Sequence, residues 1–287
     1  MKTSPLSKIT LDGRAFLVKR DDLIDPYLAG NKYRKLYTLL QTPKETYNTI
    51  ISYGGTQSNA MLAIAAMCRD KGWNFIYYTK ELSKRQREYP VGNYATALEL
   101  GMNHREIENE LYRDFIASLC VTIHEKTFII DQGGAVYDAK RGLEVLAEEL
   151  RKQLQVHPQI KALATPSGTG TTALFLAHAL PEYTIYTVPC VGDTQYLQEQ
   201  MSALATLPDN LTILEPKKKY HFAKPYREFY TLYQKLLSCH IEFDLLYAPL
   251  MWQSLLEQTE EKICYIHSGG VSGNSSMLKR YKKFDKE

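Results

Sequence analysis

Short apolar or β-branched runs that end in glycine turns and lead into helix-period segments recur along most of this chain. That alternation constrains the fold more than any other feature. Thr49-Ile50-Ile51-Ser52-Tyr53 closes on Gly54-Gly55, and residues 57–71 then place Met61, Ile64, Ala65 and Cys68 on one helical stripe. Residues 74–79 read as the next strand. Residues 89–100 and 108–121 read as helices, with Gly101 stopping the first. Thr127-Phe128-Ile129-Ile130 is again strand-like and ends in Asp131-Gln132-Gly133-Gly134. Residues 140–154 form an amphipathic helix with Leu143, Leu146, Ala147 and Leu150 on one face. Strand 160–164, helix 171–180 and strand 184–188 continue the pattern. A chain that alternates in this way is expected to bury parallel sheets between helices.

A length of 287 residues suits two closely associated subdomains better than one minimal core. The formal net charge of +3 is small for that length and gives no reason to expect nucleic acid as a partner. The basic run Lys217-Lys218-Lys219-Tyr220-His221 lacks the wider basic face such binding needs, so it reads as a solvated loop. Cys68, Cys120, Cys190, Cys239 and Cys264 are widely spaced, with no CxxC pair and no zinc-ligand spacing. Free, buried thiols in a reducing compartment are expected, and no metal. Neither an N-terminal h-region nor a segment of membrane-spanning length occurs, so the expectation is a soluble cytoplasmic protein.

Four strand-end segments carry chemistry. Gly30-Asn31-Lys32-Tyr33-Arg34-Lys35 sets a lysine just after a turn, where backbone N–H groups and a helix N-terminus disfavour its ammonium form. Gly54-Gly55-Thr56-Gln57-Ser58-Asn59 puts polar side chains at a helix start, where ligands of open α/β sheets bind. Helix capping by Thr56 or Ser58 explains the same residues equally well. Thr165 to Thr172, with Gly168-Thr169-Gly170-Thr171 at its centre, exposes successive N–H groups and hydroxyls suited to a phosphate dianion. No lysine follows those glycines, so this is not a nucleoside-triphosphate loop. His267-Ser268-Gly269-Gly270 is a fourth strand end with a hydroxyl placed against the sheet.

Taken in order, GNKYRKL, GGTQSN, IDQGGAVYDAKRGLEVLAEEL, GTGTT and HSGG resemble the 1-aminocyclopropane-1-carboxylate deaminase and D-cysteine desulfhydrase family. These are fold type II, tryptophan-synthase-β-like pyridoxal-5'-phosphate (PLP) enzymes. The resemblance implies an α/β protein of two three-layer α/β/α subdomains with PLP between them. The smaller is expected over 44–127 and the larger over 1–43 plus 128–287. It further implies a homodimer acting on a small amino acid. Lys32 would form the Schiff base with the cofactor and carry protons at the substrate α-carbon. Asn59 would bind the cofactor's phenolic oxygen, and Gly168, Thr169, Gly170 and Thr171 its phosphate. Gln57 and Ser58 would hold the substrate carboxylate, with Asn59 beside them, and Ser58 would assist proton transfer. Tyr247, in Phe243-Asp244-Leu245-Leu246-Tyr247-Ala248-Pro249-Leu250-Met251, resembles the tyrosine of the family's DPVY-x-GK-x-M segment and would orient substrate or exchange a proton.

Departures from the family pattern bear on the reaction. The cyclopropane-opening deaminases typically carry Glu after that tyrosine, where it pairs with the pyridine nitrogen; here the residue is Ala248. Their HxGG turn tends to hold Leu, whereas desulfhydrases hold Thr; Ser268 is closer to the second. A hydroxyl leaves the ring nitrogen largely neutral and the ring a milder electron sink. A mild sink suffices when the β-carbon bears a good leaving group. The expectation is therefore β-elimination, D-cysteine giving pyruvate, ammonia and sulfide. Ring-opening deamination and a cofactor-binding protein without turnover are the rivals. Pro249-Leu250 replaces the GK of both subfamilies.

Overall fold

The computed structural model describes residues 2–28, 30–119, 125–134, 139–282 and 284. Its strands are β1 (Leu6–Leu11), β2 (Arg14–Lys19), β3 (Thr49–Tyr53), β4 (Asn74–Lys80) and β5 (Met102–Ile107). They continue with β6 (Thr127–Ile130), β7 (Ala162–Ala164), β8 (Thr184–Thr187), β9 (Leu211–Ile213) and β10 (Ile263–Ile266). The first six helices are α1 (Asn31–Lys35), α2 (Tyr37–Gln41), α3 (Asn59–Lys71), α4 (Lys84–Glu88), α5 (Asn93–Glu99) and α6 (Tyr112–Leu119). The others are α7 (Ala139–Leu154), α8 (Thr171–Ala179), α9 (Thr194–Ser202), α10 (Arg227–Ser238), α11 (Ala248–Gln258) and α12 (Asn274–Tyr281).

Two sheets result. The larger runs β1-β2-β10-β7-β8-β9, parallel throughout except for the β1–β2 hairpin. The smaller runs β5-β4-β3-β6 and is wholly parallel. Residues of the larger sheet divide with the period of two that a strand imposes. Phe16, Val18, Ala162, Ala164, Ile263 and Tyr265 face a core shared with Trp252 and Phe243. Leu17, Leu163, Cys264 and Ile266 face the leucine stripe of α7 and the apolar body of α8. That is a three-layer sandwich. The smaller sheet buries Ile50, Phe75, Tyr77 and Ile130 against α3. Its other face is covered more thinly, with Phe115 of α6 on Tyr78 at a ring separation of 4.8 Å.

Several expectations need correction. The helix expected over 89–100 is shorter, α5 alone, because Gly92 adopts φ 61° and the helix starts only at Asn93, while α4 lies before the expected span and ends at Glu88. The helix expected over 108–121 is preceded by a strand that the pattern does not announce, β5, a sheet-edge strand with mostly half-exposed side chains. That helix is α6, shorter than expected, and its expected end at Val121 lies outside the described residues. A boundary at 127/128 would cut through β6. Thr127, Phe128, Ile129 and Ile130 pair in register with Thr49 to Ser52, so the whole strand goes with the smaller sheet. Among the described cysteines, Cys68, Cys190 and Cys264 are buried and free as expected, whereas Cys239 is half exposed; Cys120 lies outside the described residues. No described helix is long and apolar enough to cross a membrane. No described cluster of His, Cys, Asp and Glu could hold a metal.

Candidate active site between the two sheets

Lys32 lies in the first turn of α1, which α7 holds from behind. A Cβ on Gly142 of α7 would stand 1.8 Å from the Arg34 carbonyl oxygen, so only glycine allows that approach. Charge completes the anchor. The fully buried Arg34 guanidinium pairs with Asp21 at 2.6 Å and with Glu149 of α7 at 2.9 Å. Lys19 reaches the same Glu149 together with Gln153 and the Ser4 carbonyl. Asp21 also accepts from the Ser4 hydroxyl.

Above this lattice the Lys32 amine donates to the Gly133 carbonyl at 2.8 Å. Burial lowers its pKa from 10.5 to about 8. Desolvation is thus the operative cause, rather than the helix-end field expected from sequence. Lys35, 5% exposed, sits beside it, and neither hydrogen bond nor ion pair to its amine occurs among the described residues. Burial and the neighbouring Lys32 charge push the Lys35 pKa well down. An amine held from its charged form by burial regains it when an anion is placed beside it.

Glycines bring the other strand ends to this point. A Cβ on Gly133 would lie 3.9 Å from the Thr169 methyl, and one on Gly168 would lie 3.5 Å from the Tyr247 ring. A Cβ on Gly30 would fall 1.7 Å from the Ser268 carbonyl oxygen, so the loops carrying Lys32 and Ser268 touch backbone to backbone. A Cβ on Gly270 would stand 2.9 Å from Asn59 Nδ2. The turn Gly168 to Thr171 links β7 to α8, with Gly170 at φ 75° and the Thr169 and Thr171 hydroxyls 3.0 Å apart. Buried hydroxyls lacking any partner among the described residues occur at Ser268, at Thr172 in the first turn of α8, and at Thr165.

Tyr247 precedes α11. Its N–H and that of Leu246 donate to the buried Asp244 carboxylate, which starts the helix and fixes the ring's position. Burial raises the Tyr247 pKa, and the nearby Cys190 and Asp244 raise it further, so the phenol stays protonated. Phe222 covers its outer face at 5.2 Å between centroids.

Two expected substrate groups are engaged elsewhere. Gln57 turns its Nε2 to the Val91 carbonyl at 3.0 Å. Ser58 caps α3 by accepting from the Met61 N–H at 3.2 Å. The capping reading of that turn is the one observed for Ser58, and its side chain also lies within hydrogen-bond reach of the Tyr77 phenol. Sequence reasoning missed Lys35, Asn93 and Ser272. Asn93, 1% exposed, donates to the Gln57 carbonyl at 3.1 Å and to Asn59 Oδ1 at 2.8 Å, and the Ser272 hydroxyl donates to its Oδ1 at 2.8 Å. Only the Gly92-Asn93 pair, repeating Gly30-Asn31 at a helix start, could have signalled it.

A Thermotoga maritima protein provisionally named 1-aminocyclopropane-1-carboxylate deaminase is 26% identical, covering 92% of this chain and 91% of its own. An Arabidopsis thaliana protein, named bifunctional D-cysteine desulfhydrase/1-aminocyclopropane-1-carboxylate deaminase, mitochondrial, is 28% identical over 56% of this chain and 44% of its own. The chain is a relative of the 1-aminocyclopropane-1-carboxylate deaminase and D-cysteine desulfhydrase enzymes. No protein-family model matches it. A crystal structure of an 1-aminocyclopropane-1-carboxylate deaminase homologue superposes with a TM-score of 0.71 at 21% identity, covering 97% of this chain and 94% of the other. The fold is therefore that of the fold type II enzymes, and deaminases of that kind are PLP-dependent.

Proposed function

We propose that this chain is a PLP-dependent lyase that eliminates the β-substituent of a small amino acid, D-cysteine giving pyruvate, ammonia and sulfide. The fit of the cofactor rests on what the site leaves uncompensated. Lys35 is a buried amine without a partner among the described residues, and a phosphate dianion held by the Gly168-Thr169-Gly170-Thr171 turn would favour its charged form. Lys32, with its pKa near 8, keeps a substantial neutral fraction for bonding to an aldehyde carbon. When bound, PLP supplies an electron sink for the carbon that carries the substrate's amino group.

The chain's own residues would do the rest. Lys32 Nζ would take the proton from the substrate α-carbon, and the electron pair left behind would expel the β-substituent as sulfide. The Ser58 O–H, turned from the Tyr77 phenol while its oxygen caps α3, would hold a substrate carboxylate oxygen. Gln57 would contribute through its backbone, its side-chain amide being tied to Val91. The Tyr247 phenol, kept protonated by burial, would donate a proton or a hydrogen bond on the substrate side.

The single observation that carries elimination over ring opening is Ser268. Its buried Oγ lacks any partner among the described residues, so a neutral hydroxyl is what this turn offers a ring nitrogen, while Ala248 has no carboxylate to offer. The name of the Arabidopsis relative includes both activities, which supports treating them as direct alternatives. Purified protein loaded with PLP should release sulfide from a cysteine isomer faster than it forms 2-oxobutanoate from 1-aminocyclopropane-1-carboxylate. 2-Oxobutanoate without sulfide would overturn the elimination reading. Borohydride reduction and peptide mass spectrometry should place the pyridoxyl group on Lys32. Loading should accelerate as pH rises through about 8 and then level off, because the free amine is the reactive form. A cytoplasmic homodimer belongs to the same proposal, and sedimentation equilibrium tests the dimer.

A further inference from the structure

The amide of Asn59 has two ends, a donor and an acceptor, and the site's chemistry depends on which one faces it. The surroundings decide this without reference to any ligand. The backbone carbonyl of Gln57 can only accept, so the Asn93 atom 3.1 Å from it must be the NH2 group. That same nitrogen lies 2.8 Å from an Asn59 side-chain atom, which must then be the oxygen. Ser272 meets the remaining Asn93 atom, its oxygen, at 2.8 Å and must donate to it. Each bond fixes the sense of the next. At the end of the chain Asn59 Nδ2 is left with no hydrogen-bond partner among the described residues, beside Gly270 in the turn that carries Ser268.

We propose that Asn93 is a positioning residue that compels Asn59 to present an N–H, never an oxygen, to the site, and that Ser272 holds Asn93 in that sense. The ligand chemistry this selects is an oxygen with negative charge; on the PLP reading, from which this inference starts, it is the cofactor's phenolic oxygen. The relay also spans the molecule. Asn59 and Asn93 begin helices α3 and α5, which pack on the smaller sheet, while Ser272 follows β10 of the larger one. The donor is therefore correctly set only while both halves are in register. Asn93 itself, being fully hydrogen-bonded and buried, contributes nothing directly to a ligand.

The test uses PLP-loaded full-length protein and its visible absorption band, titrated with pH. A donor to the phenolic oxygen stabilises negative charge there most after the adjacent proton has left. Losing the donor should therefore raise the pH at which the band titrates. Asn93→Asp offers Asn59 only acceptors, turns its amide over, and should raise that pH by about one unit, tenfold in proton affinity. Asn59→Ala should give a shift of the same direction and size. The double variant Asn93→Asp/Asn59→Ala should shift no further than either alone. A folded Asn93→Asp protein, judged by circular dichroism and Tm, that titrates like wild type would overturn the proposal, and so would additive shifts in the double variant. If Asn93→Asp does not fold, Ser272→Ala decides: a smaller shift in the same direction supports the relay, and wild-type titration overturns it. Absence of the band in wild type, together with absence of a Lys32 adduct, would instead refute the cofactor assignment and the inference with it.

Discussion

Two polar networks flank Lys32, one buried and one reaching the surface at Ser272, and they are built from opposite materials. Beneath it, Lys19, Asp21, Arg34 and Glu149 form a lattice of full charges closed by Ser4 and Gln153. Across the site, Asn59, Asn93 and Ser272 form a relay of neutral groups. The lattice fixes where a backbone segment lies, because breaking any partner strands a charge away from water. It is indifferent to sense, since a guanidinium donates whichever way it turns. The relay is weaker per bond but directional, because each amide has a donor end and an acceptor end. Position is set by charge on one side of the site and polarity by amides on the other.

The widest gap between the two should appear on cutting each once. Arg34→Met leaves Asp21 and Glu149 without their shared cation and should cost about 3–5 kcal/mol in urea unfolding of the cofactor-free protein. A loss under about 1 kcal/mol would show that the lattice does not hold α1. Acid should separate the networks next. Burial raises the Glu149 carboxyl, but the Lys19 hydrogen bond and the Arg34 charge outweigh this and leave it below the ordinary 4.5. A carboxyl depressed in the fold binds protons more readily when unfolded, so its contribution is present above that value and lost as pH falls through the folded one. Stability should decline as pH falls below the ordinary carboxyl value of 4.5, and Glu149→Gln should flatten that decline, whereas Asn93→Ala should leave its slope unchanged.

Ser272→Ala removes one neutral hydrogen bond from the relay and should cost about 1 kcal/mol, read by the same urea titration. Ser268→Ala completes the series with the smallest effect. Its hydroxyl has no partner among the described residues, so stability without cofactor should change by less than about 0.5 kcal/mol. Cofactor affinity should fall by about 1 kcal/mol, the worth of one neutral hydrogen bond. A clear loss of stability in the cofactor-free protein would mean that the hydroxyl serves the fold instead.

Legibility in the sequence followed the strength of local pattern. The leucine stripe of α7 and the glycine-ended strands β3, β7 and β10 were readable because period and turn chemistry agree there. Strand β5, Met-Asn-His-Arg-Glu-Ile, was not, since an edge strand with half-exposed side chains shows no alternation to detect. The β1–β2 hairpin did carry a signal, Asp12 at φ 47° and Gly13 at φ 79°, the Asp-Gly turn of tight hairpins. Strand β6 was recognisable as a strand, but a run as short as Thr-Phe-Ile-Ile does not say which sheet it joins, and the boundary drawn at 127/128 cuts through it. At the site, the sequence located residues near glycines. It could not show that Gln57 spends its amide on Val91, or that Asn93 governs Asn59, because both depend on one contact with a distant segment.

The order of the larger sheet has a consequence for synthesis. Strand β10, which follows nearly every other strand and helix in the chain, lies between β2 and β7 rather than at an edge. As the chain leaves the ribosome, the β1–β2 hairpin and the β7-β8-β9 half-sheet emerge with the inner edges of β2 and β7 unpaired, and nothing can join them until residue 266 has been made. The smaller sheet, by contrast, is continuous in sequence from β3 to β6 and can close early. The nascent chain therefore carries a finished small lobe and two waiting sheet edges. The docking of one four-residue strand completes the larger sheet and, by pressing Ser268 onto Gly30, brings the last wall of the site into place. A chain truncated before β10 should present both edges to other proteins, the condition that chaperones exist to cover.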